Sequence, residues 1–430
     1  MKMTKPRILH SCLSVAIFLS AAAPISAQSF GLQRDAARMS LGTIKKELKE
    51  NYYDPNFHGV DLDSRFKQAD AKLKEATTTG QLWGIIAQAI LDLDDSHTSF
   101  LPPELPTRYD YGWQMSMTGD KCFVSAVRPD SDAEKKGLKT GDEVWTIDGF
   151  GPTRENLWKL KYYYYSLRPR EHMTLVVRKP DGQEQELDIK AKVVEGSRLN
   201  LGVWDMWNDI RESENIARFY RQRFHELNSE VLIWKMPSFE MSHEQVANAM
   251  DRVKKYKSLI LDLRGNPGGY ADNVEWLVGY FFDHDIKIAE LKGRKQIKPL
   301  IGKNHGNGTY QGQILVLVDS ESASAAELFA RVMQLEKRGK IIGDRTAGAV
   351  MLGQYFSYGT YGLSITIADL IMSDGKSLEH QGVLPDEVVL PSARDMAAGR
   401  DPALAYAANL LKFNLSPEKA ASLFPIEWLK

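Results

Sequence analysis

The hydrophobic pattern changes character along the chain, from helical spacing in the first hundred residues to strand-like runs and then to alternating strands and helices. Apolar residues recur every three or four positions in the first part, which predicts helices there. Later apolar runs of four to seven residues are bounded by turn residues, and they predict strands. The helical spans are 36–48, 66–73, 82–93, 243–253, 273–282 and 401–411, and the strand spans are 111–116, 122–127, 231–236, 259–263 and 314–318.

One predicted strand ends in a cluster of serine and alanine residues. The run Ile314–Val318 is short and rich in β-branched residues, as in a buried parallel strand. A helical pattern begins after Ser324, so a serine stands where a strand passes into a helix N-terminus. Unpaired N–H groups and the helix dipole favour a developing oxyanion at such a place. A simple helix cap is the alternative interpretation, because serine favours that position.

A second predicted strand ends in a turn of glycine and proline. It runs through residues 258–263 and continues as Arg264-Gly-Asn-Pro-Gly-Gly269. Gly268 and Gly269 can adopt positive φ, and they allow a ligand or another chain segment to approach bare backbone. This turn alone is weak support for any function.

Together the two junctions resemble the motifs of a known family. The stretches DLRGNPGG at 262–269 and SASAAE at 322–327 resemble those of the S41 serine peptidases, which include C-terminal processing peptidases and tricorn-type core peptidases. The resemblance implies an α/β fold with a crotonase- or ClpP-like S41 protease core, an inserted PDZ domain and an N-terminal helical region. The expected parts are a signal peptide (1–27), the helical region (28–103), the PDZ domain (104–195), the protease core (196–395) and a C-terminal helical tail (396–430).

The middle part carries a stretch, residues 133–149, that resembles a PDZ signature. A PDZ domain adds the C-terminus of a peptide as a strand to an open sheet edge and holds its carboxylate with backbone N–H groups. The resemblance places the peptide-binding loop at Tyr111, Gly112 and Trp113. The usual Gly-Leu-Gly-Phe form is missing there, so a PDZ-shaped spacer without a ligand stays open as an alternative.

The general base is the point at which this sequence departs from the processing peptidases. Their base is a lysine in a Thr-x-Gly-Lys motif, but the matching stretch here ends in Ala349. We interpret the nearby Lys340 and Arg345 as surface charges, because neither fits the motif. The missing lysine predicts either an inactive enzyme or the tricorn-type arrangement, in which a histidine is the base.

The tricorn-type arrangement needs a Ser-His pair before the core and a glutamate after it. Ser96-His97 and Glu379 match those positions of the family pattern. The resemblance therefore implies that Ser324 is the nucleophile and His97 the general base, and that Ser96 and Glu379 orient the histidine. Because all four residues occur in family order, we expect a live enzyme.

The resemblance also implies an oxyanion hole. Backbone N–H groups of Gly268 or Gly269, together with that of Ala325, would form it, and the choice between the two glycines stays open. Two further alternatives concern neighbours of the expected residues. Ser322 could be the nucleophile, and His380 could compete with Glu379 for its role.

Composition limits the compartment and the partners. The chain has 430 residues and a formal net charge of −1, without a basic stripe, so we expect no nucleic-acid partner. A basic, then apolar N-terminus predicts a signal peptide with cleavage after Ala27, which implies an exported protein in the periplasm or outside the cell, with no stable membrane span after cleavage. Cys122 would be the only cysteine of the mature chain, which excludes an internal disulfide.

No metal or cofactor motif is present, since the sequence contains neither HExxH nor CxxC. We interpret Asp94 and Asp95 as solvated loop carboxylates and expect no metal and no cofactor. The expected function is that of an exported serine endopeptidase acting on protein or peptide substrates, bound through their C-termini. The alternatives are a catalytically inactive S41-like PDZ binding protein and a different hydrolase, such as an esterase, on the same scaffold.

Overall fold

The structure is a computed structural model, and it describes residues 25–103, 107–195, 221–426 and 428. The signal segment expected at 1–27 lies outside the described residues except for its last three positions. The same holds for the beginning of the expected protease core, residues 196–220. No helix in the described ranges is long and apolar enough to cross a membrane.

Helices in the described residues lie mainly in the N-terminal region, between the core strands and at the C-terminal end. The predicted helical spans are confirmed, although the first helix begins eleven residues before its predicted start and the other ends shift by up to four residues. The helices are α1 Ile25–Asn51, α2 Leu62–Glu75, α3 Thr79–Leu91, α4 Asp132–Lys135, α5 Leu157–Tyr162, α6 His243–Val253, α7 Ala271–Gly279, α8 Ala325–Leu335, α9 Ala393–Ala397, α10 Pro402–Leu410 and α11 Pro417–Ser422, with a π-helix at Tyr163–Leu167 and 3₁₀ turns at Phe57–Gly59 and Gly306–Gly308.

The strands of the described residues form four separate sheets. The predicted strand spans are confirmed as well. The strands are β1 Ser99–Leu101, β2 Thr107–Asp110, β3 Trp113–Thr118, β4 Lys121–Val127, β5 Glu143–Ile147, β6 His172–Arg178, β7 Glu184–Lys190, β8 Lys192–Glu195, β9 Arg223–Glu226, β10 Val231–Lys235, β11 Ser258–Asp262, β12 Ile286–Gly293, β13 Leu300–Gly302, β14 Gln313–Val318, β15 Gly339–Gly343, β16 Met351–Tyr358, β17 Tyr361–Met372 and β18 Glu387–Val388.

A mostly parallel sheet with the order β18-β15-β14-β11-β10-β9 forms the centre of the core. Its inner strands β10, β11 and β14 are buried on both faces, which explains their continuous apolar runs. Strands β11 and β14 are neighbours, with Asp262 opposite Leu317, so the loops after them meet at one edge. The N–H of Gly265 donates to Asp319 Oδ1 at 2.8 Å, and the N–H of Ala323 donates to the carbonyl of Asn266 at 2.9 Å. The two motif-bearing loops are thereby joined.

An antiparallel sheet with the order β1-β17-β12-β13, to which β16 is added beside β17, links the N-terminal region to the core. The short strand β1 follows helix α3 and pairs with β17, with Ser99 opposite Ser364. Apolar residues of α1, α2 and α3 pack together with Leu363 and Ile365 of β17. This pairing fixes the position of the residues just before β1.

Residues 107–195 form a five-stranded antiparallel sheet, β3 to β7, with its own hydrophobic core, and a ribbon of β2 and β8. Arg154 ties this unit to the rest of the chain. Its guanidinium donates to Asp344 Oδ2 at 2.7 Å and to the carbonyls of Gly119 and Arg345 at 2.7 and 3.0 Å. Because Arg154 and Asp344 are nearly buried, this is a fixed contact rather than a surface ion pair.

Candidate active site

The turn between β14 and α8 presents Ser324 in an unusual backbone conformation. Its φ is 52° and its ψ is −115°, a region that a residue with a side chain rarely adopts. Such strain persists only where surrounding contacts hold it, and it is common at functional sites. Here the N–H of Ser324 is shared between the carbonyl of Ala349 at 2.9 Å and Glu327 Oε2 at 3.0 Å.

Glu327 holds this turn in place, although the sequence analysis named it only as the last residue of the SASAAE motif. Its fully buried carboxylate accepts hydrogen bonds from four donors: the N–H groups of Ser324, Gly348 and Ala349 and the hydroxyl of Thr346. Burial raises the pKa of Glu327 to about 7, while the hydrogen bonds act in the opposite direction. The carboxylate therefore joins the turn at Ser324 to the loop that ends in Ala349.

His97 lies in a tight turn that Asp95 organises. Asp95 Oδ1 accepts from the N–H groups of His97 at 3.0 Å and Thr98 at 2.7 Å, and it also accepts from the hydroxyl of Thr366. The interpretation of Asp95 as a solvated carboxylate is therefore wrong, since it is only 4 % exposed. The sequence Asp-Ser-His-Thr is typical of an Asx turn, and this pattern could have indicated the structural role of Asp95. Burial lowers the pKa of His97 to about 4, and Asp95 opposes that shift.

Ser96 stands between the histidine and a distant glutamate. Ser96 Oγ lies 2.7 Å from His97 Nδ1 and donates to Glu379 Oε2 at 2.9 Å. Glu379 also accepts from the N–H groups of Ser96 at 2.7 Å and Val350 at 2.8 Å. Burial raises the pKa of Glu379, whereas these hydrogen bonds act to lower it.

The hydrogen bonds of Ser96 fix the tautomer of the His97 ring as long as Glu379 is ionised. A carboxylate only accepts, so the Ser96 hydroxyl proton points at Glu379. Ser96 Oγ must then accept from His97 Nδ1–H, which leaves Nε2 with a free lone pair. The ring is thus held in the form that can accept a proton at Nε2.

Ser324 is connected to this group through one short backbone segment. Ala349 accepts from the N–H of Ser324, and the next residue, Val350, donates to Glu379. Among the described residues, no hydrogen bond joins the Ser324 hydroxyl to the His97 ring. Hydrogen bonds between catalytic groups are often long before substrate binds, so the missing bond does not exclude that these two side chains act together.

The two glycines differ in what their N–H groups do. Gly268 has a φ of 104° and passes so close to Ser324 that an added Cβ would lie 2.7 Å from Ser324 Cβ. Its N–H donates to Asn266 Oδ1 at 2.8 Å. Among the described residues, neither Gly269 N–H nor Ala325 N–H has an acceptor.

The alternative residues are engaged elsewhere. Ser322 is fully buried, and its hydroxyl donates to the carbonyl of Leu263 at 2.8 Å, so no substrate can reach it. His380 is exposed and bonds to the carbonyl of Asp94 at 2.9 Å rather than to Ser96. Lys340 forms a surface ion pair with Glu387 at 2.9 Å, as expected for a surface charge.

The residues expected to bind a peptide lie at the start of β3. The side chains of Tyr111 and Trp113 are each only 2 % exposed, so they serve the core of their own unit. Gly112 has a φ of 72°, and its N–H already donates to Asp110 Oδ1 at 3.0 Å. A carboxylate at this loop would have to compete with Asp110.

A cavity of about 340 Å³ adjoins the site, between the N-terminal region, the 107–195 unit and the core. Ser96, Ala323 and Ala349 line it on the side of the reactive groups, and Met117 and Arg345 line it elsewhere. Arg345 is half-buried, so the expectation of a plain surface charge is wrong for this residue. No group of three or more potential metal ligands exists among the described residues.

Comparison with known proteins gives a consistent result. Residues 230–389 match the model of peptidase family S41. A probable CtpA-like serine protease of Staphylococcus haemolyticus is 24 % identical over 393 residues, which covers 87 % of this chain and 69 % of that protein. The carboxy-terminal processing protease CtpA of Bacillus subtilis is 22 % identical over 398 residues, covering 88 % of this chain and 76 % of that protein.

Among solved structures, mature CPAF complexed with lactacystin superposes with a TM-score of 0.64 at 17 % identity, covering 91 % of this chain and 99 % of that one. This likeness concerns the mixed α/β fold, which the S41 proteases share. The family match over residues 230–389, the named relatives and this shared fold support the same conclusion. The chain is a serine-type peptidase, and its residues 230–389 match the model of family S41.

Proposed function

We propose that this peptidase is an endopeptidase of protein substrates in which Ser324 is the nucleophile and His97 is the general base. The observation that carries the proposal is the hydrogen-bonded series Glu379–Ser96–His97, which leaves His97 Nε2 as a proton acceptor. Ser324 Oγ attacks the peptide carbonyl carbon while Nε2 takes its proton. The same proton then goes to the leaving amine, and water hydrolyses the acyl-enzyme by the reverse sequence.

Ser96 and Glu379 act through the histidine rather than on the substrate. They hold the Nδ1–H tautomer and stabilise the imidazolium that forms during attack, which is the task of the third member of a catalytic triad. The low pKa of His97 in its buried resting state keeps the ring neutral at neutral pH. Neutrality is what a general base requires.

The oxyanion hole consists of the N–H groups of Gly269 and Ala325. Support comes from the absence of any acceptor for them among the described residues, whereas Gly268 N–H is used by Asn266. Gly268 contributes by its lack of a side chain, since it lets the loop pass beside Ser324. Loss of one oxyanion donor typically costs about 10²–10³ in kcat.

Residues 104–195 act as a PDZ domain that positions substrates by their C-termini. Strand β3 is an edge strand of its sheet, and Met117 near its end lines the cavity, so a peptide added along β3 would lead towards Ser324. The name of the Bacillus subtilis relative describes carboxy-terminal processing, which agrees with this choice of substrate. The basic and apolar segment 1–27 supports export to the periplasm or the outside of the cell.

Turnover of denatured casein and of a small acyl ester tests the proposal. Purified protein without residues 1–27 should cleave casein at internal bonds, and Ser324→Ala should abolish cleavage while the protein keeps its circular dichroism spectrum. Ester hydrolysis without casein cleavage would instead support an esterase. Casein cleavage that survives Ser324→Ala would remove Ser324 as the nucleophile.

A further inference from the structure

The cations that line the cavity beside Ser324 differ in whether they have a carboxylate partner. Arg154 is paired with Asp344 at 2.7 Å. Lys159 is paired with Asp94 at 3.2 Å, and Lys161 with Glu321 at 3.0 Å. Arg345 lines the same cavity, yet no carboxylate of the described residues lies within ion-pair distance of its guanidinium.

The backbone of Arg345 is fixed relative to the nucleophile. Its N–H donates to Asp344 Oδ1 at 2.7 Å, and its carbonyl accepts from Arg154 at 3.0 Å. The next residue, Thr346, donates to the Glu327 carboxylate that also holds the N–H of Ser324. The half-buried side chain therefore starts from a rigid point close to the reactive groups.

The surroundings of Arg345 leave its charge available. Glu155, which also lines the cavity, interacts electrostatically with Arg345. A hydrogen bond with Thr153 has the largest effect in lowering the pKa of Glu155, and the charges of Arg345 and Arg154 lower it further. Glu155 is exposed and forms no ion pair with Arg345. A guanidinium offers a planar, two-pronged donor set that matches a carboxylate.

We propose that Arg345 forms a carboxylate-binding subsite in this cavity and that it binds a carboxylate of the peptide substrate. The inference rests on the proposed function and adds a specificity residue to it. The carboxylate can come from an acidic side chain near the scissile bond or from the free C-terminus of the substrate, and the chemistry of recognition is the same.

Quenched-fluorescence decapeptides of alanine, leucine and serine distinguish the two sources. One series moves a single glutamate through every position, a second carries glutamine instead, and each peptide is made with a free and with an amidated C-terminus. The protein should favour one carboxylate over its neutral counterpart by about 10- to 100-fold in kcat/KM, since a charged hydrogen-bond pair is lost without it. In Arg345→Gln that ratio should fall to about one.

Lys159→Gln is the matched control, because Lys159 lines the same cavity but already has Asp94 as its partner. The Lys159→Gln protein should keep the preference for the carboxylate peptide. The inference is overturned if the protein shows no preference for either carboxylate, if Arg345→Gln keeps the preference, or if Lys159→Gln removes it equally.

Failure of the proposed function would look different, because no peptide of either series would then be cleaved. In that event the Ser324→Ala protein decides the subsite by fluorescence anisotropy with the same labelled peptides. Tighter binding of the carboxylate peptide that disappears when Arg345→Gln is added supports the subsite. Equal binding of both peptides contradicts it.

Discussion

The hydroxyl of Ser96 lies 2.9 Å from Oε2 of Glu379, although 283 positions separate the two residues in the chain. Strand β1 makes this possible, because its pairing with β17 begins two residues after His97. Glu379 is held on its side by the N–H of Val350. The contact gives the buried His97 ring a defined tautomer.

Replacing Ser96 by alanine should remove that control. Ser96→Ala takes away the acceptor for His97 Nδ1–H, so the ring can adopt the tautomer with a protonated Nε2. We expect kcat to fall by about 10²–10⁴ with little change in KM, as for loss of the group that orients a catalytic histidine. Steady-state kinetics on a peptide substrate measure both constants.

Ser96→Thr is the control for this change, since threonine keeps the hydroxyl. It should retain far more activity than the alanine variant. A Ser96→Ala enzyme with the kcat of the unaltered protein would show that the hydroxyl does not set the state of the ring.

The pH dependence of kcat/KM should reflect the burial of His97. Burial lowers its pKa from 6.5 to about 4, so the neutral, active form persists to lower pH than for an exposed histidine. Protonation of Glu379, whose pKa burial raises, acts on the same acid limb. Activity should thus be present at neutral pH and lost as pH falls, with a midpoint below pH 6.5. A midpoint at or above 6.5, in protein that circular dichroism shows to be folded, would contradict this assignment.

Local patterns in the sequence predicted the elements around the site but not the contacts between them. The apolar run before Asp319 and the helical spacing after Ser324 were enough to locate the strand–helix junction. By contrast, no periodicity places Ser96 beside Glu379. That placement came only from the family resemblance, because hydrogen bonds between distant segments leave no local pattern.

Glu327→Gln tests the buried carboxylate that holds the turn at Ser324. Glutamine presents its NH₂ group either to the N–H of Gly348 or to the N–H groups of Ser324 and Ala349, so at least one buried N–H loses this acceptor. Each buried N–H left unsatisfied costs about 1–3 kcal/mol in the free energy of unfolding. Urea denaturation measures this loss, and kcat should fall with it. Glu336→Gln, an exposed change just beyond the end of the same helix, should alter neither.

The same variant should change the pH dependence of stability. The pKa of Glu327 is about 7 in the folded protein against an ordinary 4.5, so the folded state binds the extra proton between these values. Its contribution to stability is therefore present below pH 4.5 and is lost as pH rises through 7. Glu327→Gln lacks this contribution. If the difference in unfolding free energy between the two proteins does not change from pH 4.5 to 7, the buried state of Glu327 is contradicted.

Gly268→Ala tests the close approach of the glycine loop to Ser324. An added Cβ would lie 2.7 Å from Ser324 Cβ and 3.0 Å from the N–H nitrogen of Ala325, so the loop or the serine must shift. We expect kcat to fall by at least about 10²-fold, because the displaced groups include the N–H of Ala325, the proposed oxyanion donor. Gly375→Ala is the matched control: its φ of 79° carries a similar backbone cost, but the space around it is open. Equal kcat values for both variants would refute the steric argument.

The oxyanion donors and the charged lining of the cavity illustrate why the rest of the site could not be predicted. Both Gly268 and Gly269 suit a close approach, and only the hydrogen bond to Asn266 distinguishes them. Arg345 looked like a surface charge in the sequence. Its half-buried position beside the Arg154–Asp344 ion pair depends on how the 107–195 unit packs against the core. Packing between units decides such details, and a single sequence does not encode it locally.

Labelling with a fluorophosphonate probe tests the central pair, Ser324 and His97, most directly. The probe forms a covalent bond only with an activated serine, and mass spectrometry of the digested protein identifies the residue. The account predicts label on Ser324 in the unaltered protein and labelling that is slower by about 10²–10⁴ in folded His97→Ala. Label on another serine, or His97→Ala labelled at the unaltered rate, would contradict the account.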